Sequence, residues 1–153
     1  MKWITRERVR VGRMGCAWLI KRFIDPDAEF LFAPGAAVRA EAERLGATPF
    51  HVAGTALANH AQISSFEATL EEYQLGGDPA LALLGKIVGT ADVKESPWQQ
   101  PEGPGLKAVT EGIHVAYADD AARIQAGYAL YDAFYAYCQD MIRRGLPNGL
   151  FKR

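Results

Sequence analysis

A proline at position 26, inside the run Asp25-Pro26-Asp27, stops the chain's first helical stretch and forces short, alternating elements around it. Proline disfavours the helical conformation in the residue before it, so a helix over residues 13–24 must end there. Residues 2–5 form a short β-prone start, and residues 29–32 alternate as a strand does. Residues 36–45 are strong helix formers closed by Gly46, a residue suited to a left-handed C-terminal cap. Residues 48–52 read as a third strand. The order β-α-β-α-β predicts a small sheet, mainly parallel or mixed.

The remainder reads as helical. Ser64-Ser65-Phe66-Glu67 is a capping box, in which Ser64 accepts from the amide of residue 67 while Glu67 reaches back. Asp78-Pro79 supplies an N-cap followed by proline at the first helical position, ahead of a face carrying Leu81, Leu84, Val88 and Ala91. Residues 97–105 hold five prolines or glycines in nine positions and predict an irregular connector, with Trp98 near its tip as a lid candidate. A last long helix starts at Asp119-Asp120. Its stripe of Ile124, Tyr128, Tyr131, Phe134 or Tyr135, Cys138 and Met141 or Ile142 has spacings of three and four, and Gly145 and Pro147 close it. The expected fold is therefore α+β or small α/β: a short N-terminal β-α-β-α-β sheet region, then a mainly helical C-terminal half. At 153 residues, a single domain over 1–153 fits.

Charge is distributed unevenly. Residues 1–22 carry seven cations (Lys2, Arg6, Arg8, Arg10, Arg13, Lys21 and Arg22) against Glu7, a net +6, whereas residues 23–153 carry −7. Such a segment suits an anion or an acidic partner. No apolar run approaches the ~18 residues of a membrane span. The basic start lacks the apolar stretch of a secretory signal, which predicts a cytoplasmic protein without membrane association. Cys16 and Cys138 form no CxxC pair, so neither a disulfide framework nor a zinc knuckle is expected. GxxxxGK[ST], GxSxG and GxGxxG patterns are absent. With a pI near 6.3 and no helix-turn-helix or zinc-finger pattern, direct DNA binding by the isolated domain is not expected. A second copy of the chain, as a homodimer, remains an admissible partner.

Two candidate sites follow from residue chemistry. Arg13, Cys16, Trp18 and Arg22 share the first helix. Guanidinium groups offer planar forks of donors to an oxyanion, and a thiol near a helix start beside Arg13 would gain thiolate character. Equally, cysteine and tryptophan suit a core, and Arg22 could pair with Asp25 or Glu29. The second candidate centres on His60, with Glu67 and Asp92 as companions in a metal or acid–base centre; a divalent metal ion is the cofactor such a centre would take. No HExxH-like spacing supports it. His51 closes a strand, His114 lies in a helix, and Cys138 sits on the aromatic stripe.

The residue order also resembles a known family. Lys2-Trp3-Ile4-Thr5-Arg6-Glu7, then Arg13, Cys16, Trp18-Leu19-Ile20 and Arg22-Phe23-Ile24-Asp25, is similar to the opening of the ChrB-type chromate-resistance domain, the ChrB C-terminal domain family. The likeness continues through Ala28-Glu29-Phe30-Leu31, Pro49-Phe50, His60, Ser65-Phe66-Glu67, Asp78-Pro79-Ala80-Leu81, Ile87-Val88 and Ala91-Asp92. It ends with Gly127 and Leu130-Tyr131-Asp132-Ala133-Phe134-Tyr135. The resemblance implies a role in bacterial chromate resistance as part of a chromate-responsive regulatory system, with chromate or a related oxyanion as ligand. It also implies a module lacking the separate N-terminal regulatory half of longer members. Gly89 stands where the family pattern often has a histidine, and Ser64 where it often has a cysteine. The primary expectation is an oxyanion- or metal-binding domain; the alternative is a small metal-dependent or acid–base enzyme centred on His60.

Overall fold

In the computed structural model, which describes residues 1–146, three short strands form a parallel sheet at one end of a helical body. Strand β1 (Lys2–Arg6) lies in the middle, flanked by β2 (Glu29–Ala33) and β3 (Thr48–Pro49) in the order β2-β1-β3. Its register pairs Ile4 with Leu31 on one side and with Pro49 on the other. Helix α1 (Val11–Leu19) makes the crossover from β1 to β2, and α2 (Val38–Leu45) the one from β2 to β3. Four helices follow: α3 (Ser65–Glu72), α4 (Pro79–Asp92), α5 (Gly103–Ala116) and α6 (Asp120–Arg143). The fold is thus α+β, as the residue pattern predicts.

Pro26 acts as expected, with one addition. Residues Ile20–Ile24 widen into a π-turn, and Asp25 N donates to Ile20 O at 2.7 Å. That wider turn ends α1 and lets Asp25 accept from Trp3 Nε1 at 2.9 Å. Gly46 takes φ 61° and closes α2, its amide and the next reaching back to the last carbonyls of the helix. The third strand is shorter than residues 48–52 suggest, because His51 adopts φ 53° and turns the chain out of the sheet. Residues 97–105 are not wholly irregular either. Gly103 opens α5, with Pro104 in its first turn, where a missing amide hydrogen costs nothing. Helix α6 ends at Arg143, with Gly145 at φ 69° behind it; Pro147 lies outside the described residues.

The core forms around α1, all nine residues of which are buried. A helix buried on every face must be apolar or satisfied all round. Trp18 provides its hub, with ring centroids 5.5 Å from Phe23, 5.7 Å from Tyr135, 6.0 Å from Tyr131 and 6.4 Å from Phe66. From α4, Leu81, Leu84, Ile87 and Val88 pack beside it, and from α6 come Ile124, Tyr131, Cys138 and Met141. The capping box at α3 is complete, with Ser64 Oγ accepting from Glu67 N at 3.2 Å and Glu67 Oε2 accepting from Ser64 N at 2.9 Å.

Tyr131 ties α6 to the first turn of α1, its hydroxyl donating to Val11 O at 2.6 Å inside the core. Replacing Tyr131 by Phe keeps the packing but leaves that carbonyl without the donor. Urea denaturation of Tyr131→Phe is expected to show a loss of about 1–2 kcal/mol with an unchanged slope.

Candidate functional site

Each of the three strands delivers residues to one place at its C-terminal end. Arg6 ends β1, Pro34 and Gly35 follow β2, and His51 to Ala53 follow β3; together they line two adjoining cavities that share Arg6 and Gly35. One cavity, about 380 Å³, is walled by Arg6, Val38, Arg39, His51 and Asn59. The other, about 470 Å³, is walled by Arg6, Glu7, Arg8, Arg10 and Arg13. Ligands of open α/β sheets gather at this edge, because the loops there vary over a fixed scaffold.

The turn from β1 into α1 sets the arginines. Arg8 sits at φ 64°, a conformation uncommon for a residue with a side chain. Asp120, at the start of α6, holds it there by accepting from Arg8 N at 2.9 Å and Val9 N at 2.8 Å, and it also pairs with Arg123 at 2.9 Å. Burial disfavours the Asp120 carboxylate. Donation from the Val9 amide, Arg123 and the Arg8 amide outweighs that, and the carboxyl titrates below its ordinary range. His114 Nδ1 lies 3.0 Å from Val9 O and completes the anchor.

Arg13 occupies the floor. Its Nη2 donates to Arg8 O at 2.7 Å, yet the residue is only 7% exposed and its Nε has no partner among the described residues. Burial, and next the Arg6 charge, push its pKa down; the attraction of Asp92 and Asp120 does not restore it. Among the described residues, Arg6, Arg8, Arg13 and Arg39 have no carboxylate within ion-pair distance. Arg39 donates to Ala53 O, and Arg10 reaches Glu111 only at 3.8 Å. The first turn of α1 carries no acidic residue and no side-chain cap from Arg10, so its amide dipoles add positive potential.

One polar pair interrupts this field of donors. His51 Nε2 lies 3.2 Å from Asp92 Oδ2, with both side chains mostly buried. The pair rests on Gly12, where a Cβ would come within 2.3 Å of Asp92 Oδ2 and 2.5 Å of His51 Nε2. Asn59 uses Oδ1 to accept from Ser65 N and Ser65 Oγ, both at 2.6 Å, which leaves its Nδ2 end as a donor.

The other sequence candidates lie elsewhere. Helix α1 starts at Val11 and not at residue 13, so Cys16 is in its second turn and fully buried. Burial, and next Asp92, push its thiol well above the ordinary range, opposite to the activation expected of a first-turn cysteine. Burial also raises the Cys138 thiol to about 12. Trp18 Nε1 donates to Asp132 Oδ1 at 2.7 Å, and Arg22 grips the same carboxylate through Nε at 3.0 Å and Nη2 at 2.9 Å. Arg22 is thus spent on the surface of α6, roughly 13 Å along the helix from Arg13. His60 is exposed, 4.0 Å from Glu71. Glu67 is consumed by Ser64 and by Trp98 Nε1, which donates to its Oε1 at 2.5 Å. Trp98 is thereby pinned to α3 instead of standing free as a lid. Asp92 is held by His51, so His60, Glu67 and Asp92 do not meet. Among the described residues no group of three metal-ligating side chains forms. A side chain at position 89 would meet Glu67 Oε2, which Ser64 Oγ also contacts, so the two departures from the family pattern converge on one carboxylate.

Arg6, Arg39, His51 and Asn59 were not singled out from sequence. His51 carries a readable signal all the same, because it directly follows a strand and so stands at the ligand-bearing edge of a parallel sheet.

Comparison with known proteins supports one assignment. Residues 3–138 match the family described as ChrB, C-terminal domain. The chain is 35% identical over 137 residues to Protein ChrB of Cupriavidus metallidurans (strain ATCC 43123 / DSM 2839 / NBRC 102507 / CH34), an alignment covering 89% of this chain. It spans 40% of that relative's length. No solved structure matches. Among the described residues, no helix is long and apolar enough to cross a membrane.

Two outcomes check this geometry. Gly12→Ala forces Asp92 and His51 apart and is expected to cost about 1–3 kcal/mol in denaturation, with the His51 imidazole resonances shifted in NMR spectra. In the folded protein, neither thiol is expected to react with a colorimetric thiol reagent, whereas unfolding in guanidinium releases two equivalents.

Proposed function

The chain belongs to the ChrB C-terminal domain family, and from that premise we propose that it is a chromate-resistance domain whose arginine cleft binds a tetrahedral oxyanion of the chromate class. The observation that carries this reading is Arg13. A guanidinium buried to this degree, with an unpartnered Nε and no carboxylate in reach, is costly to keep charged. An anion entering the cavity it lines would supply the missing acceptor and neutralise Arg6 and Arg8 at the same time. Chromate is a tetrahedral oxyanion, and forked guanidinium donors beside a helix N-terminus are the recognition device such a group calls for.

On this reading the domain is the ligand-holding part of a chromate-responsive regulatory system in the cytoplasm. Occupancy of the cleft would fix the β1–α1 turn to α6 through Asp120. This reading assigns binding to Arg6, Arg8, Arg13 and Arg39 and not to Cys16 and Arg22, whose placement in the core and on Asp132 supports leaving them out. A metal centre on His60 gains no support from the placement of Glu67 and Asp92.

Equilibrium dialysis or calorimetry with chromate tests the assignment. Arg6→Ala and Arg13→Gln are each expected to weaken binding by about tenfold or more, as loss of a charge-assisted hydrogen bond does. Arg22→Ala and Cys16→Ala should stay within about twofold of the parent, since neither side chain reaches the cleft. Unchanged affinity in both cleft variants, or an equal loss in Arg22→Ala, would overturn the reading.

A further inference from the structure

Around the smaller cavity the arginines and the asparagine amide donate; among the described residues His51 is the ionisable side chain lining it that can present an acceptor, Glu7 lying on the wall of the larger cavity. A carboxylate only accepts, so the hydrogen between His51 and Asp92 resides on Nε2. Neutral His51 therefore carries its lone pair on Nδ1. That atom has no partner among the described residues, and the ring lines the smaller cavity. The charged groups around it are Asp92 from α4, Arg6 from β1, Arg39 from α2 and, beyond Asp92, Arg13 from α1. The tautomer is protected twice: Gly12 leaves room for the pair, and the positive φ of His51 aims the ring at Asp92.

An acceptor set among donors is poorly matched to a fully deprotonated oxyanion, whose oxygens would face a lone pair across a low-dielectric wall. It is well matched to an oxyanion that keeps one hydroxyl, because that hydroxyl donates to Nδ1 while the other oxygens take the arginines. We propose that the cleft selects monoprotonated tetrahedral oxyanions, of the hydrogenchromate and hydrogenphosphate type, over sulfate, with His51 Nδ1 as the specificity-determining acceptor. This rests on the assignment of the arginine cleft as the oxyanion site. Hydrogenchromate gives up its hydrogen near neutrality, hydrogenphosphate keeps one far into alkali, and hydrogensulfate has lost its own in all but strong acid. Chromate and sulfate share shape and charge and differ in size and basicity, so the hydrogen is one feature on which a protein can separate them.

Calorimetric titration of the full chain with chromate, phosphate and sulfate at matched ionic strength tests this from about pH 7 to about pH 9. Chromate affinity is expected to fall about tenfold per pH unit, one proton accompanying each ligand, while phosphate affinity holds and sulfate stays at least about tenfold weaker than chromate at the lower pH. His51→Ala should bring chromate and sulfate within about twofold of each other. Asp92→Asn is a second variant that spares the fold at Gly12; its amide can donate to Nε2, place the hydrogen on Nδ1, and raise sulfate binding. Parental sulfate binding equal to chromate, or a selectivity unchanged in both variants, would overturn the proposal while leaving the cleft assignment intact. Failure of all three anions to bind the folded parent would overturn both.

Discussion

Asp120 is the carboxylate on which the basic end of this domain depends. It sits at the start of α6, more than a hundred residues from the turn it holds, and takes both the Arg8 and Val9 amides. Without it, the left-handed Arg8 would relax and its carbonyl would swing away from Arg13. The part-buried Val9 amide would also lose its acceptor, a cost comparable to the whole benefit of a normal hydrogen bond. Sheet, buried helix and long C-terminal helix meet at this side chain. Its depressed folded-state pKa means that the anchor is complete above the ordinary aspartate range near ~3.9 and is lost only as pH falls through the lower folded value.

The cleft that results concentrates like charge that the rest of the molecule does not balance. Elsewhere the arginines are spent on local partners: Arg22 on Asp132, Arg44 on Glu41, Arg123 on Asp120 and Arg143 on Asp140. Those pairs are one helical turn apart or bridge packed helices. Around the sheet's C-terminal edge the pattern reverses: Asp120 is used on amides and Asp92 is turned toward His51, while Glu7 stands among the arginines of the larger cavity. Placing Arg8 and His51 both in sparsely populated backbone conformations adds strain at the same edge. Strain and uncompensated charge thus coincide at the edge where the oxyanion site is proposed.

Much of the fold could be read from punctuation, and the site could not. Pro26, Gly46, Asp78-Pro79 and Ser64–Glu67 act on neighbours within a turn, so their consequences are local and the residue order carries them. The α6 stripe is likewise a matter of spacing, and Tyr131 and Cys138 are buried where periodicity puts them. The start of α1 was misjudged because Val11 and Gly12 give weak helix signals, while tertiary packing of Met14 and Trp18 extends the helix backwards. That shift of two residues carried Cys16 from an activating first turn into the core. The residues of the cleft come from three strand ends, α1, α2 and the segment before α3, so no local spacing links Arg6, Arg39 and His51. Net charge marks the same segment as the cleft: of the seven N-terminal cations, Arg6, Arg8, Arg10 and Arg13 line it.

The burial of both thiols bears on the proposed chromate ligand. Chromate oxidises accessible thiolates, so a binding site that exposed one would be consumed by its own ligand. Here the larger cavity lies above Arg13, and Cys16 lies one helical turn deeper in α1, fully buried with its thiol held protonated. The aromatic cluster around Trp18 closes the core on the far side, and Cys138 is buried between α6 and its neighbours. In the proposed site, recognition would rest on groups that chromate does not oxidise: guanidinium, imidazole, carboxamide and backbone amide. The separation of a hard, nitrogen-donor cleft from a soft, sulfur-bearing core follows directly from how α1 is laid down, with its N-terminal turn at the sheet edge and its remaining length in the core.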